Sequence, residues 1–170
     1  MNLSLNLPPP NLEVVPPCHI FAYPRSPTNY IKALLQLGPF DKRYIKDALG
    51  TYCNRLVHDA CMVTGASLPR ENGWPMLANR MVAYLGDTAN GWQKMAWQDA
   101  VTNALYGCPT VTGLAIPDGH GHVAMVLPAT AVNMVDILTV QAGATNFYGR
   151  SLGVGFGLKH LPNVVFFGHP

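Results

Sequence analysis

From Thr28 to Tyr106 the apolar residues recur at the spacing of helices, and beyond Tyr106 they fall into short runs typical of β-strands. Thr28 is a suitable N-cap for an amphipathic helix that extends to Leu37 and is stopped by Gly38-Pro39. Further helices are predicted over residues 41–49, 52–64, 75–85 and within 92–106, and strands over 110–116, 122–127, 137–141 and 164–167. A chain that begins with helices and continues with short strands is predicted to form an α+β domain with an antiparallel sheet.

Residues 1–27 are too rich in proline to form a helix. Proline fixes φ and has no amide hydrogen to donate, so we expect this N-terminal arm to be extended. Its prolines are Pro8, Pro9, Pro10, Pro16, Pro17, Pro24 and Pro27. The remaining residues, 28–170, are enough for one domain with a sizeable core.

Cys53 and His122 are the two residues that point to a reaction. Thr51 is a suitable N-cap for the helix over 52–64, which places Cys53 in its first turn. The partial positive charge of a helix start and a nearby imidazole lower the pKa of a thiol, so we expect a nucleophilic thiolate. His122 opens a strand much later in the chain, and only the fold can bring it to the thiol as a general base.

Three segments of the chain resemble the CHAP and NlpC/P60-type amidases, papain-like cysteine hydrolases that cut peptidoglycan. The segments are T-Y-C-N-R-L-V-H-D-A at 51–60, G-H-V-A-M-V at 121–126, and V-Q-A-G-A-T-N-F-Y-G at 140–149, with G-F-G at 155–157 before a last apolar strand. The resemblance covers the chain from about Tyr44 to its end. It implies a papain-like catalytic domain over 28–170, in which N-terminal helices pack on a small antiparallel β-sheet. It also implies catalysis by Cys53 and His122 without a cofactor.

The resemblance further implies a third residue that orients the imidazole, usually Glu, Asn or Asp, and here the sequence offers Gln141 or Asn146. Gln141 ends the strand after His122, so antiparallel pairing can bring its amide oxygen beside the ring and fix the tautomer. An uncharged amide suffices for that role, as in the Cys-His-Asn arrangement of papain-like proteases. We predict Gln141 as the third catalytic residue, with Asn146 as the alternative.

Three more residues are candidates for binding substrate. Many CHAP proteins carry Gln directly before the cysteine, and this chain has Tyr52 there. Trp74 lies in an expected loop, where an aromatic ring can line a groove for a sugar or a peptide. His120 follows the turn-forming Pro117-Asp118-Gly119 and shares a strand face with His122, so we expect it at the rim of the site.

A metal centre is the rival chemistry. Four residues offer a Cys-His₃ set, namely His58, Cys61, His120 and His122. Cys53 lies about 140° around the helix from His58 and cannot easily join them. The sequence also has no paired C-x-x-C motif and no H-E-x-x-H motif. We therefore predict no metal. Cys61 is interpreted as a core residue, Cys108 as a loop or strand-entry residue, and His58 as a partly buried, hydrogen-bonded histidine.

Composition narrows the classes of function. Charged residues make up only 12% of the chain and the net charge is +2, which is too small to indicate a nucleic-acid partner. The first ten residues lack the basic and apolar regions of a signal peptide, and no apolar run has the length of a transmembrane helix. We therefore expect synthesis in a cytoplasm, no membrane partner, and delivery to the cell wall by other means.

Together these observations predict a monomeric cysteine hydrolase that cleaves an amide bond of peptidoglycan, as an endopeptidase or an N-acetylmuramoyl-L-alanine amidase. A small chain without a signal peptide suits a phage lysin or an antibacterial effector. The expected partners are peptidoglycan and either a cognate immunity protein or a virion or secretion component. The alternative is a non-enzymatic virion or secretion-apparatus module that retains the fold, which the low charge and the proline-rich arm also suit.

Overall fold

The computed structural model of the protein describes residues 25–48 and 50–170. Over these residues the chain is a mixed α+β protein with helices and antiparallel sheets, as the order of the apolar patterns predicts. Most of the predicted proline-rich arm lies outside the described residues, and so does Cys18. Of the predicted arm, the structure describes residues 25–27. Ser26 is the N-cap of the first helix, and Pro27 is the first residue of that helix.

The helices of the described residues carry the apolar faces that cover the sheet. They are α1 (Pro27–Leu37), α2 (Cys53–Val63), α3 (Ala78–Gly86), α4 (Trp97–Leu105) and α5 (Leu152–Phe156). The N-cap of α1 is Ser26 rather than the predicted Thr28, because Ser26 Oγ accepts a hydrogen bond from the amide of Asn29. No helix in this part of the chain is long and apolar enough to cross a membrane.

The strands form a small hairpin and one larger antiparallel sheet. The hairpin pairs β1 (Arg70–Glu71) with β2 (Trp74–Pro75). The larger sheet contains β3 (Gln93–Met95), β4 (Thr110–Leu114), β5 (His122–Val126), β6 (Leu138–Gln141), β7 (Phe147–Ser151) and β8 (Val165–Gly168), in the spatial order β3-β8-β4-β5-β6-β7. Strands β4, β5, β6 and β8 confirm the four predicted strands with small shifts at their ends.

The core lies where the first four helices pack on the central strands. Helix α2 packs along β5, while α3 contacts β4 and α4 contacts β8. Strand β4 is buried along its whole length, and β5 is buried from Val123 to Val126. A sheet centre buried on both faces favours strands with continuous apolar runs. The residues Val123 to Val126 of β5 form such a run, whereas β4 also contains Thr110, Thr112 and Gly113.

The pairing of β5 with β6 decides which side chains meet at one end of the sheet. Met125 lies opposite Val140. The same antiparallel register puts Gln141 opposite Ala124. His122 lies two residues before Ala124 and on the same face, because side chains alternate along a strand. Gln141 is therefore a diagonal neighbour of His122, at a separation that a long side chain can cross.

The predicted helix over residues 41–49 is wrong for the residues described there. A 3₁₀ turn covers Lys42–Tyr44, and Asp47 then forms a bridge with Gly50, which has a φ of 145°. The side chain of Asp41 caps the amide of Arg43 instead of starting an α-helix. Aspartate and glycine favour such turns over the helix interior, and here the local preference wins.

The predicted helix start at Pro75 is also wrong. Asn72 and Gly73 both have positive φ values, 52° and 82°, as the two-residue turn of a type I′ hairpin requires. Pro75 then pairs with Arg70 in the hairpin, and α3 begins only at Ala78. The Asn-Gly pair is a hairpin signal that is readable in the sequence, and it outweighs the preference of proline for a helix start.

Three elements were not predicted as they occur. Residues 93–95, within a predicted helical region, form β3 against β8, and α4 starts after them. Strand β7 and the short helix α5 follow β6, and no regular apolar pattern indicates them. Gly149, with a φ of 74°, lies inside β7, and Gly153 and Gly155 lie inside α5. Because glycine has no side chain, these residues interrupt the apolar pattern, and neither element could be predicted from side-chain periodicity.

Tyr44 links the 3₁₀ turn to α2 through a buried polar cluster. Its hydroxyl donates a hydrogen bond to Asp59 Oδ2 at 2.6 Å, and both residues are buried. Asp59 Oδ1 lies 3.3 Å from Nδ1 of His58, which is buried too. The carboxylate therefore has a partner for each oxygen inside the core, and the chain before α2 is fixed to that helix.

We expect Tyr44→Phe to lower the free energy of unfolding by about 1–3 kcal/mol, because it leaves one buried carboxylate oxygen of Asp59 without a donor. Urea denaturation followed by circular dichroism measures the change as a lower midpoint with an unchanged slope. Tyr106→Phe is the matched control, since Tyr106 is 70% exposed and we expect a change within about 0.5 kcal/mol there. Equal effects of the two substitutions would contradict a stabilising role for the Tyr44 hydroxyl.

Candidate active site

Cys53 is the first residue of α2. The predicted N-cap Thr51 is wrong by one residue, since the N-cap is Tyr52 and its side chain makes no capping hydrogen bond. The amide of Leu56 donates to the carbonyl of Tyr52, so the amides of residues 53–55 have no partner inside the helix. The thiol is thus attached to a helix start whose amides have no carbonyl partner inside the helix, and the amides of Cys53 and Asn54 contact the sulfur instead.

Burial governs the protonation of this thiol. Cys53 is only 5% exposed. Burial raises the pKa of the Cys53 thiol, and hydrogen bonds from the backbone amides of Val123, Asn54 and Cys53 itself oppose that shift without cancelling it. The predicted lowering of the pKa is therefore wrong, and the group is a neutral thiol at neutral pH. Because Val123 directly follows His122, its amide places the sulfur beside the start of β5.

Gln141 lies beside His122 as predicted, and its amide fixes the tautomer of the ring. His122 Nε2 and Gln141 Oε1 are 2.7 Å apart, while Gln141 Nε2 donates to the carbonyl of Thr145 at 3.1 Å. A carbonyl can only accept, so the amide nitrogen must point to Thr145 and the amide oxygen to the imidazole. Nε2 of His122 therefore carries the hydrogen, and Nδ1 keeps its lone pair.

The surroundings of His122 favour its neutral form. Burial lowers the pKa of the imidazole, and the hydrogen bond to Gln141 opposes this only in part. The ring of Phe156 meets the imidazole edge-on, with the ring centroids 4.8 Å apart. A Cβ added to Gly143 would lie 3.4 Å from His122 Cε1, so the loop after β6 also closes over the ring. A neutral imidazole with a free Nδ1 lone pair is suited to act as a general base.

Asn146, the alternative third residue, has a structural role. Its amide nitrogen donates to the carbonyls of Pro39 at 2.7 Å and Tyr44 at 3.1 Å. Its amide oxygen accepts a hydrogen bond from the amide of Gly143 at 2.9 Å. Both N–H groups of the amide are used in these contacts, all of them to backbone. Asn146 thus ties the loop after β6 to the segment before α2, and Gln141 is the residue at the imidazole.

A cleft of about 120 Å³ opens beside the thiol and is lined by Cys53 and His120, among others. His120 is exposed on the turn before β5, at the rim where the sequence predicts it. Asn79 holds that turn, because its amide nitrogen donates to the carbonyls of Ile116 and Gly119. His122 does not line this cleft, since its ring is turned to Gln141 and Phe156.

Tyr52 and Trp74, which the sequence predicts as substrate-binding residues, both contact Arg55. The central guanidinium carbon lies 3.8 Å from the centroid of the Tyr52 ring and 5.1 Å from that of Trp74. Tyr52 is 9% exposed and its hydroxyl donates to Asp47, so it presents little open surface. Trp74 is half-buried and lies in β2 rather than in a loop.

Arg55 itself was missed by the sequence analysis. One signal was available, because residues three apart at a helix start are neighbours and Arg55 follows Tyr52 at that spacing. The contact of Arg55 with Trp74 depends on the hairpin that brings Trp74 to α2, and the local sequence pattern does not predict that contact.

The remaining cysteine and histidine predictions concern residues outside the cleft. Cys61 is wholly buried, and Cys108 is partly exposed just before β4, as predicted. His58 is more deeply buried than predicted, and its Nε2 has no hydrogen-bond partner among the described residues. In the same part of the chain, no three His, Cys, Asp or Glu side chains are placed to hold one metal ion.

Comparison with known proteins yields no family for this chain. No protein-family model matches the sequence, and no curated protein matches it. The function of the chain is therefore inferred from the geometry of the site and from the residues that form it.

We expect the imidazole of His122 to carry its hydrogen on Nε2, because Gln141 Oε1 accepts it. The ¹⁵N chemical shifts of the ring, measured by NMR above about pH 7.5 where the ring is neutral, distinguish the two tautomers. Gln141→Ala should give a mixture, whereas Asn146→Ala should leave the tautomer of His122 unchanged and lower only the stability. An Nδ1–H tautomer in the unsubstituted protein would show that the Gln141 amide is oriented the other way.

The second expectation concerns the thiol. Because burial raises the pKa of Cys53, the rate of its alkylation by iodoacetamide should still be rising above about pH 8.5, by roughly tenfold per pH unit. Peptide mass analysis after brief exposure at each pH measures that rate at Cys53. A rate that is already constant below about pH 7 would show a preformed thiolate and would restore the prediction made from the helix start.

Proposed function

We propose that the protein is a cysteine hydrolase with a papain-like fold that cleaves an amide bond of peptidoglycan, as an endopeptidase or an N-acetylmuramoyl-L-alanine amidase. The observation that carries the proposal is the hydrogen bond between His122 Nε2 and Gln141 Oε1. It leaves Nδ1 as a base on the strand whose Val123 amide contacts the Cys53 thiol. A thiol, an imidazole and an amide behind the imidazole are the groups that papain-like proteases use.

The reaction begins from a neutral thiol and a neutral imidazole. Nδ1 of His122 takes the proton of Cys53 Sγ as the sulfur attacks the carbonyl carbon of the scissile amide. The oxyanion that forms accepts hydrogen bonds from amides at the start of α2, including that of Cys53, which contacts the sulfur before the attack.

Collapse of this intermediate breaks the C–N bond. The imidazolium of His122 gives its proton to the leaving nitrogen, so an amine departs and a thioester remains on Cys53. The imidazole then takes a proton from water as the water oxygen attacks the thioester. Breaking the C–S bond releases the carboxylic acid, and the proton returns to the sulfur.

Peptidoglycan as the substrate is supported by the resemblance of residues 51–60, 121–126 and 140–149 to the CHAP and NlpC/P60 amidases. Arg55, a positive side chain two residues after Cys53 in the chain, fits an anionic polymer. In this proposal the protein acts on the cell wall as a phage lysin or an antibacterial effector. Its partner other than peptidoglycan is then a cognate immunity protein or a virion or secretion component.

A second candidate function is a non-enzymatic virion or secretion-apparatus module. The burial of the thiol favours it, since Cys53 is 5% exposed and the cleft beside it holds only about 120 Å³. In such a module Cys53 would be a packing residue, and the cleft would bind without cutting. The two candidates differ in whether the thiol is needed for a reaction.

We expect the full-length protein to clear purified peptidoglycan in a zymogram, and Cys53→Ala to abolish clearing because the nucleophile is lost. Cys108→Ser is the matched control, since Cys108 is partly exposed and lies outside the cleft, and it should retain activity. Circular dichroism confirms that each variant is folded.

Two outcomes would contradict the hydrolase. Clearing by Cys53→Ala equal to that of the unsubstituted protein would exclude the thiol as the nucleophile. Failure of the unsubstituted protein to clear peptidoglycan of several chemotypes would favour the module.

A further inference from the structure

An open pocket of about 240 Å³ lies between the segment before α2 and the loop after β6. It is about twice as large as the cleft beside the thiol, and the proposed reaction makes no use of it. Its walls are mostly apolar, and two of the side chains that form them, Phe40 and Ile45, are 64% and 52% exposed. Exposed apolar side chains that line one pocket, rather than being scattered singly, mark a binding surface.

Hydrogen bonds of Asn146 hold the two sides of this pocket together. Its amide oxygen accepts from the amide of Gly143 on one side, and its amide nitrogen donates to the carbonyls of the residues directly before Phe40 and Ile45 on the other. The pocket is therefore formed before anything binds, and an occupant does not have to order it.

Gly143 also connects the pocket to the imidazole of His122. A Cβ added to Gly143 would lie 3.4 Å from Cε1 and 4.0 Å from Nδ1 of that ring, and Nδ1 is the base of the proposed reaction. An occupant of the pocket therefore packs against the loop that closes over this base.

Lys46 is the only charged side chain among the described residues that line the pocket. It makes no hydrogen bond or ion pair with any residue in the ranges 25–48 and 50–170. An apolar pocket with one open cation suits an apolar segment that carries an acidic side chain.

Residues 1–24, which lie outside the described residues, contain a segment of that chemistry. The sequence L-E-V-V-P-P at 12–17 is apolar except for Glu13, which is the only Asp, Glu, Lys or Arg of residues 1–24. Proline-rich segments bind to exposed aromatic rings in an extended conformation that costs little entropy to form. Phe40 offers such a ring in the pocket.

The chain before α1 is long enough for this segment to reach the pocket. Phe40 comes three residues after α1 ends at Leu37, and an eleven-residue helix is about 16 Å long. Glu13 precedes Arg25 by twelve residues, which span about 37 Å when extended. Attachment to the same chain gives the segment an effective concentration on the order of millimolar, so a weak contact is enough to fill the pocket.

We propose that residues 12–17 of the N-terminal arm dock in this pocket, with Glu13 paired to Lys46, and that the docked arm slows the reaction at His122. The docking is independent of the hydrolase function, whereas the effect on the rate rests on it. The arm packs against Gly143 and narrows the approach of a substrate to the base. The site reaches its full rate when the arm leaves the pocket.

The test of docking places a nitroxide spin label on Cys18, the residue directly after the docking segment. The full-length protein carries Cys53→Ala and Cys108→Ser, so that Cys18 is the only cysteine besides the wholly buried Cys61. NMR measures how much each backbone amide signal weakens relative to the same protein with the label reduced. We expect the signals of Lys46 and of the other pocket residues to weaken. Val132 should keep its intensity, since it follows the end of β5 that is opposite to His122.

Charge reversal assigns the contact to one pair of residues. Glu13→Lys and Lys46→Glu should each weaken docking by roughly three- to tenfold and restore the pocket signals. The double variant exchanges the two charges and should weaken the signals again. Lys42→Glu is the matched control, since Lys42 is an exposed lysine of the same segment outside the pocket, and it should leave the signals as they are in the parent protein.

A mixed sample distinguishes docking within one chain from exchange between copies. Protein labelled with ¹⁵N and carrying no nitroxide is mixed with spin-labelled protein of natural isotope abundance. Weakening of the pocket signals in this mixture, equal weakening at Val132, or no weakening at the pocket in the first experiment would each overturn the docked arm.

The effect on the rate is measured separately, in the protein that retains Cys53 and carries no spin label. Glu13→Lys should clear peptidoglycan faster than the unsubstituted protein, and the charge-exchanged double variant should return to the slower rate. Equal rates for Glu13→Lys and the unsubstituted protein would overturn the inhibition. Docking without clearing by either protein rejects the hydrolase and keeps the docked arm, whereas clearing without docking rejects the arm alone.

Discussion

The hydrogen-bonded register between β5 and β6 sets the geometry on which the rest of the site depends. It makes His122 and Gln141 diagonal neighbours on one face. A slip of one residue would turn Gln141 to the opposite face and leave the imidazole without its acceptor. Burial of β5 from Val123 to Val126 opposes such a slip, because the packed side chains would exchange faces and lose their fitted contacts. The carbonyl of Thr145 then selects which end of the amide meets the ring.

The same strand connects the imidazole to the thiol, and burial sets the charge of both. Helix α2 packs on β5, and the amide of Val123 reaches the sulfur of Cys53. Burial raises the pKa of the thiol and lowers that of His122. Both shifts favour the uncharged form, because a low-dielectric site penalises an ion pair that lacks further hydrogen bonds. In the proposed reaction, charge separation is thereby postponed to the step in which the sulfur attacks.

Features that depend on residues close together in the sequence could be predicted, whereas features that depend on distant segments could not. The position of Gln141 beside His122 was predictable because strand alternation and the end of an apolar run are local features. The direction of the pKa shift of Cys53 was not predictable. The helix start, which lowers the pKa, is visible in the sequence, whereas the burial that outweighs it depends on β5. The helix predicted over 41–49 is wrong because aspartate and glycine form turns there. The helix start predicted at Pro75 is wrong because the Asn72-Gly73 turn draws Pro75 into the hairpin.

The hairpin that replaces this helix start is fixed to the first turn of α2. The amide nitrogen of Asn54 donates to the carbonyls of Pro75 and Met76, and Arg55 stacks on Trp74. The two residues that follow the nucleophile thus both hold the hairpin, one through hydrogen bonds and the other through its guanidinium. In the proposed hydrolase the imidazole and its acceptor depend on β5 and β6, which are buried and fixed in register. Substitutions in the short exposed hairpin can therefore alter its contacts with α2 without changing the register that places His122 beside Gln141.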